Sequence, residues 1–209
     1  MRFHHIIVAT CVVLGVALWG YIFGTTGPPM RGYFSASASM VPSLLAGERV
    51  FASSGYCRRH APVPGDIVIF VIGDKPPFVK RVVVGPGDRV KMEQGRLVID
   101  GEMLARSPLA HFALQDGQPP VPHYLETLAN GRSYEILETQ GDLGLLDTTE
   151  EVTLEPGQYF LLGDNRDASM DSRVEKIGAV ALEQIHSRPT IVWFSTDWRR
   201  LGKQVQPAE

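Results

Sequence analysis

Gly65-Asp-Ile-Val-Ile-Phe-Val-Ile72 and, after a turn-rich Gly-Asp-Lys-Pro-Pro, Phe78-Val-Lys-Arg-Val-Val-Val84 set the fold class. Both runs are short and rich in Val, Ile and Phe. β-Branched and aromatic side chains suit a pleated, half-buried surface, and Gly and Pro punctuate it. The same texture extends outward. Residues 89–104 (RVKMEQGRLVIDGEML) read as a hairpin, with Gln94-Gly95 at one turn and Asp100-Gly101 at the next. Residues 133–138, 151–164 and 177–194 continue the pattern, and Pro156-Gly157 marks a further turn. No helical period of any length appears after the first two dozen residues. The chain is therefore expected to be mainly β, a folded sheet or barrel. Residues 105–132 differ: four prolines and weak periodicity predict an irregular insertion.

Ile6 to Phe23 contains no charge over 18 residues, long enough to span a bilayer core as a helix. Arg2 precedes it, and Trp19 and Tyr21 sit near its far end, where interfacial aromatics are favoured. This run predicts one N-terminal transmembrane helix with the N-terminus inside. The alternative is a cleavable secretory signal, but the run exceeds the usual apolar stretch of roughly 7–15 residues. The expected division is an anchor with a short cytoplasmic tip at 1–24, a linker at 25–34, and a β domain at 35–209.

Composition narrows the partners. The 209 residues are 44% hydrophobic, enough for a sizeable core, and the net charge of -3 offers no basic footprint for nucleic acid. The six histidines are scattered, with neither HExxH nor CxxC, so no metal or cofactor is expected. Cys11 lies in the apolar run and Cys57 in the β domain, so no disulfide is expected between them.

Three stretches carry chemical potential. They are Ser35-Ala-Ser-Ala-Ser39-Met40-Val-Pro42-Ser43-Leu44, Val79-Lys80-Arg81-Val82 with Gly85-Pro-Gly-Asp88, and Gly163-Asp-Asn-Arg-Asp-Ala-Ser169-Met-Asp171-Ser-Arg173. A serine hydroxyl needs a base to become a nucleophile. A lysine serves only when neutral, which burial in apolar surroundings favours. Strand alternation puts Phe78, Lys80, Val82 and Val84 on one face, apolar but for the amine. Arg81 then points the other way, to solvent or to a partner. Each stretch alone has a plainer reading: a snorkelling strand lysine, a loop serine, an ion-paired turn. Leu146-Asp147-Thr148-Thr149 resembles an aspartic-protease motif, but that chemistry needs two such carboxylates and the chain has one copy.

In this order, the three stretches resemble the signature boxes of the bacterial type I signal peptidases. Ser39-Met40-Val41-Pro42-Ser43-Leu44 is similar to the nucleophile box. Lys80-Arg81 with Pro86-Gly87-Asp88 is similar to the general-base box, and Gly163 to Arg173 to the third. Thr127-Leu-Ala-Asn-Gly-Arg-Ser133 resembles a stretch found between the boxes. Val84 and Gly85 precede Pro86 where Gly-Leu is common, and Ala38 stands where Gly is frequent.

The resemblance implies a membrane-tethered serine endopeptidase of the signal-peptidase fold. Ser39 would be the nucleophile and Lys80 the general base. Ser169 would orient the lysine amine through a hydrogen bond. Ser37 and the Ser39 N–H would meet the oxyanion, and Asp171 with Arg173 would support the site. It further implies exported pre-proteins with small residues at -1 and -3 as substrates, the lipid bilayer as a partner, and a single-pass protein of the cytoplasmic membrane with its catalytic domain outside. Phe34 and Met40 are expected to dip into the membrane interface. A specialised peptidase maturing conjugative pilins is the nearest rival. A non-catalytic membrane-tethered β module is a rival of another class.

Overall fold

The structure, a computed structural model, describes residues 30–114 and 119–206. The expected anchor at 6–23 and Cys11 lie outside these residues. Among the described residues no helix is long and apolar enough to cross a membrane. The chain runs through β1 (Met30–Phe34), β2 (Arg49–Ser54), a single helical turn α1 (Tyr56–Arg59), β3 (Ile67–Phe70), β4 (Phe78–Val84), β5 (Arg89–Glu93) and β6 (Arg96–Ile99). It continues through β7 (Glu102–Met103), β8 (Ala105–Pro108), β9 (His123–Thr127), β10 (Ser133–Leu137), β11 (Val152–Thr153), β12 (Gln158–Leu162), β13 (Val180–Ala181) and β14 (Ile185–Phe194).

The expected mainly β class holds. Seven strands form one sheet in the order β1-β2-β14-β3-β4-β12-β13, curled into a half-barrel. Among the described residues a four-stranded sheet, β11-β5-β6-β7, and a three-stranded sheet, β10-β9-β8, accompany it. The hairpin expected at 89–104 is β5–β6–β7. Gln94 and Gly95 both have positive φ, at 50° and 72°, between the paired Glu93 and Arg96. Positive φ at both central residues is what a tight two-residue hairpin requires.

Two segments differ from the sequence reading. Residues 30–34, placed in the linker, form edge strand β1, paired from Met30↔Ser53 to Phe34↔Arg49. Nothing local announces this strand; its partner β2 does. Residues 105–132, read as irregular, contain strands β8 and β9, which pair with each other from Ala105↔Thr127 to Pro108↔Tyr124. Pro119, Pro120 and Pro122 lack a ladder donor and keep the middle of the stretch in loop.

Three apolar clusters hold the sheets together. The largest joins Val83, Val84, Met92, Leu97, Ile136, Phe160 and Leu162. A second packs Val68, Phe70, Val82, Leu161 and Ile185 around the buried Cys57 thiol. The third sets Met40 and Leu44 against Val50, Ile67 and Val192. Met40, expected at the membrane interface, is therefore a core residue with 2% of its surface exposed, whereas Phe34 is 60% exposed.

Candidate active site

The Ser39 loop is held at both ends. Ser35 N–H donates to Glu48 O and Gly47 N–H to Ser35 O, both at 2.8 Å. Burial of the Met40 and Leu44 side chains fastens the far end, a contact that tolerates little movement in a close-packed core. β12 pairs with β4 up to Leu162↔Arg81. Just beyond, the chain bonds to the loop instead: Asn165 N–H donates to Ser39 O at 3.1 Å and Asn165 Nδ2 to Ala38 O at 3.3 Å.

β4 lies between β3 and β12, which places Lys80 in the middle of the sheet, opposite Val68. Lys80 Nζ lies 2.7 Å from Ser39 Oγ and 2.9 Å from its neighbour's carbonyl, Val79 O. The amine sits on the face of Phe78 and Val82, as strand alternation predicted, and Lys80 is only 3% exposed. Among the described residues no carboxylate approaches it closely enough for an ion pair. Burial pulls the amine from 10.5 down to about 8, against the opposing attraction of the more distant Asp171 and Asp164. The 2.7 Å distance suits either direction of the hydrogen bond, so a neutral amine can accept from the Ser39 hydroxyl. Ser37 Oγ donates to Ser39 Oγ at 3.1 Å, placing a second hydroxyl beside the first.

Arg81 turns to the opposite face and is paired rather than solvated. Its Nε and Nη2 donate to the two oxygens of Asp164 at 2.8 and 2.7 Å. Nη1 donates to Gly65 O at 2.7 Å and Nη2 to Ser43 Oγ at 3.0 Å. The guanidinium also stacks over the Tyr134 ring at 4.3 Å. Tyr134 in turn donates from its hydroxyl to Glu126 at 2.7 Å, and Glu126 pairs with Arg166. All these charged groups are buried and each has a partner, the condition under which buried charge is tolerated.

The segment from Gly163 to Arg173 closes the site from below. Asp171 accepts from Gly163 N–H at 3.0 Å and from Arg173 Nε and Nη2 at 2.9 Å. Burial raises the Asp171 carboxyl, but Arg173 and the Gly163 amide outweigh it and hold it below the ordinary value. Gly163 is a glycine for steric reasons. A Cβ there would overlap the Ser169 side chain and lie 2.6 Å from Ser39 O. Ser169 thus stands across Gly163 from the Ser39 loop. Among the described residues its buried Oγ makes no well-formed hydrogen bond, although the hydroxyl lies near enough to the Asp171 carboxylate to help lower it, and the expected bond to Lys80 is not formed.

All six residues singled out from sequence, Ser37, Ser39, Lys80, Ser169, Asp171 and Arg173, gather around Gly163 and β4. Four further positioning residues emerge only in the fold. Gly163, Asp164 and Asn165 lie within the quoted motif but had no role assigned. Glu126 had no local signal, because its partner Arg166 is far along the chain.

Comparison with known proteins gives the following. A family described as signal peptidase, peptidase S26, matches residues 3–194. The chain is similar to a signal peptidase I of Rickettsia prowazekii (strain Madrid E), with 32% identity over 188 residues, 84% of this chain and 66% of that one. It is similar to a signal peptidase I of Rickettsia bellii (strain OSU 85-389), with 32% identity over 187 residues, 84% of this chain and 60% of that one. The chain thus spans 60 to 66% of the length of these curated relatives. Among solved structures it matches a signal peptidase I from Enterococcus faecalis V583 at 24% identity and a TM-score of 0.34, over 59% of this chain and 92% of that one.

Proposed function

The chain belongs to the signal peptidase family, peptidase S26, and from that premise we propose that it removes N-terminal signal peptides from exported pre-proteins with a Ser39/Lys80 dyad. The observation that carries this reading is the buried, unpaired amine of Lys80 at 2.7 Å from Ser39 Oγ. With its proton affinity lowered to about 8, roughly one amine in ten is neutral at pH 7. That fraction accepts the Ser39 proton as Oγ attacks the scissile carbonyl, and the resulting ammonium returns a proton to the leaving amine.

The tetrahedral oxyanion is met by the Ser39 N–H and by the Ser37 hydroxyl, which releases Ser39 Oγ as the attack proceeds. Ser169, buried beside the Asp171 carboxylate, turns its hydroxyl toward Lys80 and steadies the amine between proton transfers. Asp171 and Arg173 hold the Gly163 backbone against which both serines pack.

Residues 1–24 anchor the protein in the cytoplasmic membrane, single-pass, with the catalytic domain on the outer side. The apolar run at 6–23 supports this, as does an aromatic edge on the sheet that follows it. Phe34, Phe51, Trp193 and Phe194 are all exposed there, and Phe51 stacks on Trp193 at 5.4 Å. Large apolar surface of this kind seeks an interface. An anchored enzyme and an anchored substrate share one bilayer, which raises their effective concentration. The substrates carry small residues at -1 and -3.

Cleavage of a pre-protein with an Ala-x-Ala site tests the reading. The full chain is expected to cut after the second Ala, and Ser39→Ala, shown folded, to be inert. Undiminished cutting by Ser39→Ala would sink the proposal.

A further inference from the structure

Away from the dyad, three carboxylates from three parts of the chain converge. Glu138 follows β10, Asp147 lies within the loop that leads on to β11, and Asp167 lies in the short 3-10 turn at Arg166–Ala168. One oxygen from each lies within 4.8 Å of the others. An acidic cluster by itself says little, since many are merely solvated. The second observation is Glu138 itself. It is wholly buried, its carboxylate is aimed into the shared space, and among the described residues neither of its oxygens receives a hydrogen bond. Asp147 Oδ1 is likewise buried and unbonded. A buried ionised carboxylate left without donors is costly.

The nearby cations do not resolve this. Arg106 Nη1 stops 3.7 Å from Glu138, beyond hydrogen-bond reach. Its guanidinium is committed to both oxygens of Asp142, at 2.9 and 2.7 Å, and stacks on Tyr124 at 4.1 Å. Arg166 is committed to Glu126. The second oxygens of the other two acids are pinned: Asp147 Oδ2 by Gly144 N–H at 2.6 Å, and Asp167 Oδ2 by Gln140 N–H at 2.7 Å.

We infer that Glu138, Asp147 and Asp167 form a binding site for a hard divalent cation of the calcium type, which ties the 139–147 loop to the Gly163–Arg173 segment. The ligand set is oxygen only, which suits Ca²⁺ or Mg²⁺ rather than Zn²⁺. A loop-built pocket with irregular spacing suits the larger, less exacting Ca²⁺, whose ligands sit at about 2.3–2.6 Å. The site also explains a glycine. A Cβ on Gly144 would overlap Asp167 Oδ1 and lie 3.1 Å from Asp147 Oδ2. Asp167 is two residues from Ser169, so an ion would brace the segment that carries it.

Calcium titration of the chelator-treated full chain, followed by calorimetry and thermal unfolding with NaCl of matched ionic strength as control, tests the site. A saturable rise in Tm with a midpoint of roughly 0.1–1 mM is expected, the range of extracellular calcium modules. Glu138→Gln, nearly isosteric, and the half-buried Asp167→Asn should each weaken binding by about tenfold or more, since affinity follows ligand charge. Glu150→Gln with Glu151→Gln, both exposed, should leave it unchanged. No saturable response in the wild type, or equal affinity in Glu138→Gln and Asp167→Asn, overturns the site. A response to Mg²⁺ as strong as to Ca²⁺ overturns the calcium assignment. None of these readouts depends on peptidase activity.

Discussion

The two faces of β4 hold neighbouring buried cations in opposite circumstances. Arg81 makes two bonds to Asp164 and one each to Gly65 O and Ser43 Oγ. Lys80, one residue earlier, has a hydroxyl and a carbonyl and, among the described residues, no carboxylate in contact. Burial disfavours charge on both, but only Arg81 is compensated. An arginine cannot shed its proton, so its face must carry a counter-ion. A lysine can shed its proton, so its face is able to omit one and obtain a base. The comparison teaches that the site is built by withholding an ion pair where the fold supplies one immediately behind.

The difference is open to test, beginning with its largest consequence. Lys80→Met should lower kcat/KM by about 10⁴-fold, the upper range for loss of a general base. The same variant should be more stable than the wild type at pH 7. The shift of the amine from 10.5 to about 8 corresponds to roughly 3 kcal/mol held against the folded state. The unfolded chain binds the proton more tightly between those values, so wild-type stability rises with pH across that window and bears the full cost below about 8. Chemical denaturation at pH 7 and pH 10 reads both the sign and the window. A Lys80→Met variant less stable than wild type at pH 7 would break the comparison.

Asp164→Ala strips Arg81 of its counter-ion and should destabilise the fold by about 3–5 kcal/mol, the usual cost of orphaning a buried charge. Asp164 also draws the Lys80 amine upward, so in the milder Asp164→Asn the acid limb of the rate profile should move to lower pH. An unchanged Tm in Asp164→Ala would mean that Arg81 is solvated after all. Ser37→Ala should cost about 10²–10³ in kcat with little change in KM, the signature of a lost oxyanion donor. A loss confined to KM would assign Ser37 to substrate binding instead.

The same contrast explains how far the sequence reaches. The alternating run Phe78 to Val84 carries the strand and the opposed directions of Lys80 and Arg81, because period-two patterning is local information; alone it fits a snorkelling Lys80 as well as a buried one. The 94–95 and 100–101 turns were readable for the same reason: their positive φ demands particular residues. What stayed hidden depends on partners far along the chain. β1 becomes a strand because β2 accepts it, and Met40 is core because Val50, Ile67 and Val192 cover it. Glu126 finds Arg166 across 40 residues, and no local pattern marks either as half of a pair. The Ser39–Lys80 approach is foreseen only through resemblance, since a separation of 41 positions hides it from any periodicity.

The central claim is that the surroundings of Lys80 lower its proton affinity enough for it to serve as a base, and the most direct measurement is an NMR titration of the Lys80 side chain. With lysine labelled at Cε and Nζ, and Lys80→Met used to assign the signal, the resonance should titrate near pH 8. A midpoint near the ordinary 10.5 would contradict the account, for the amine would then be a charged strand lysine beside a serine and no base at all.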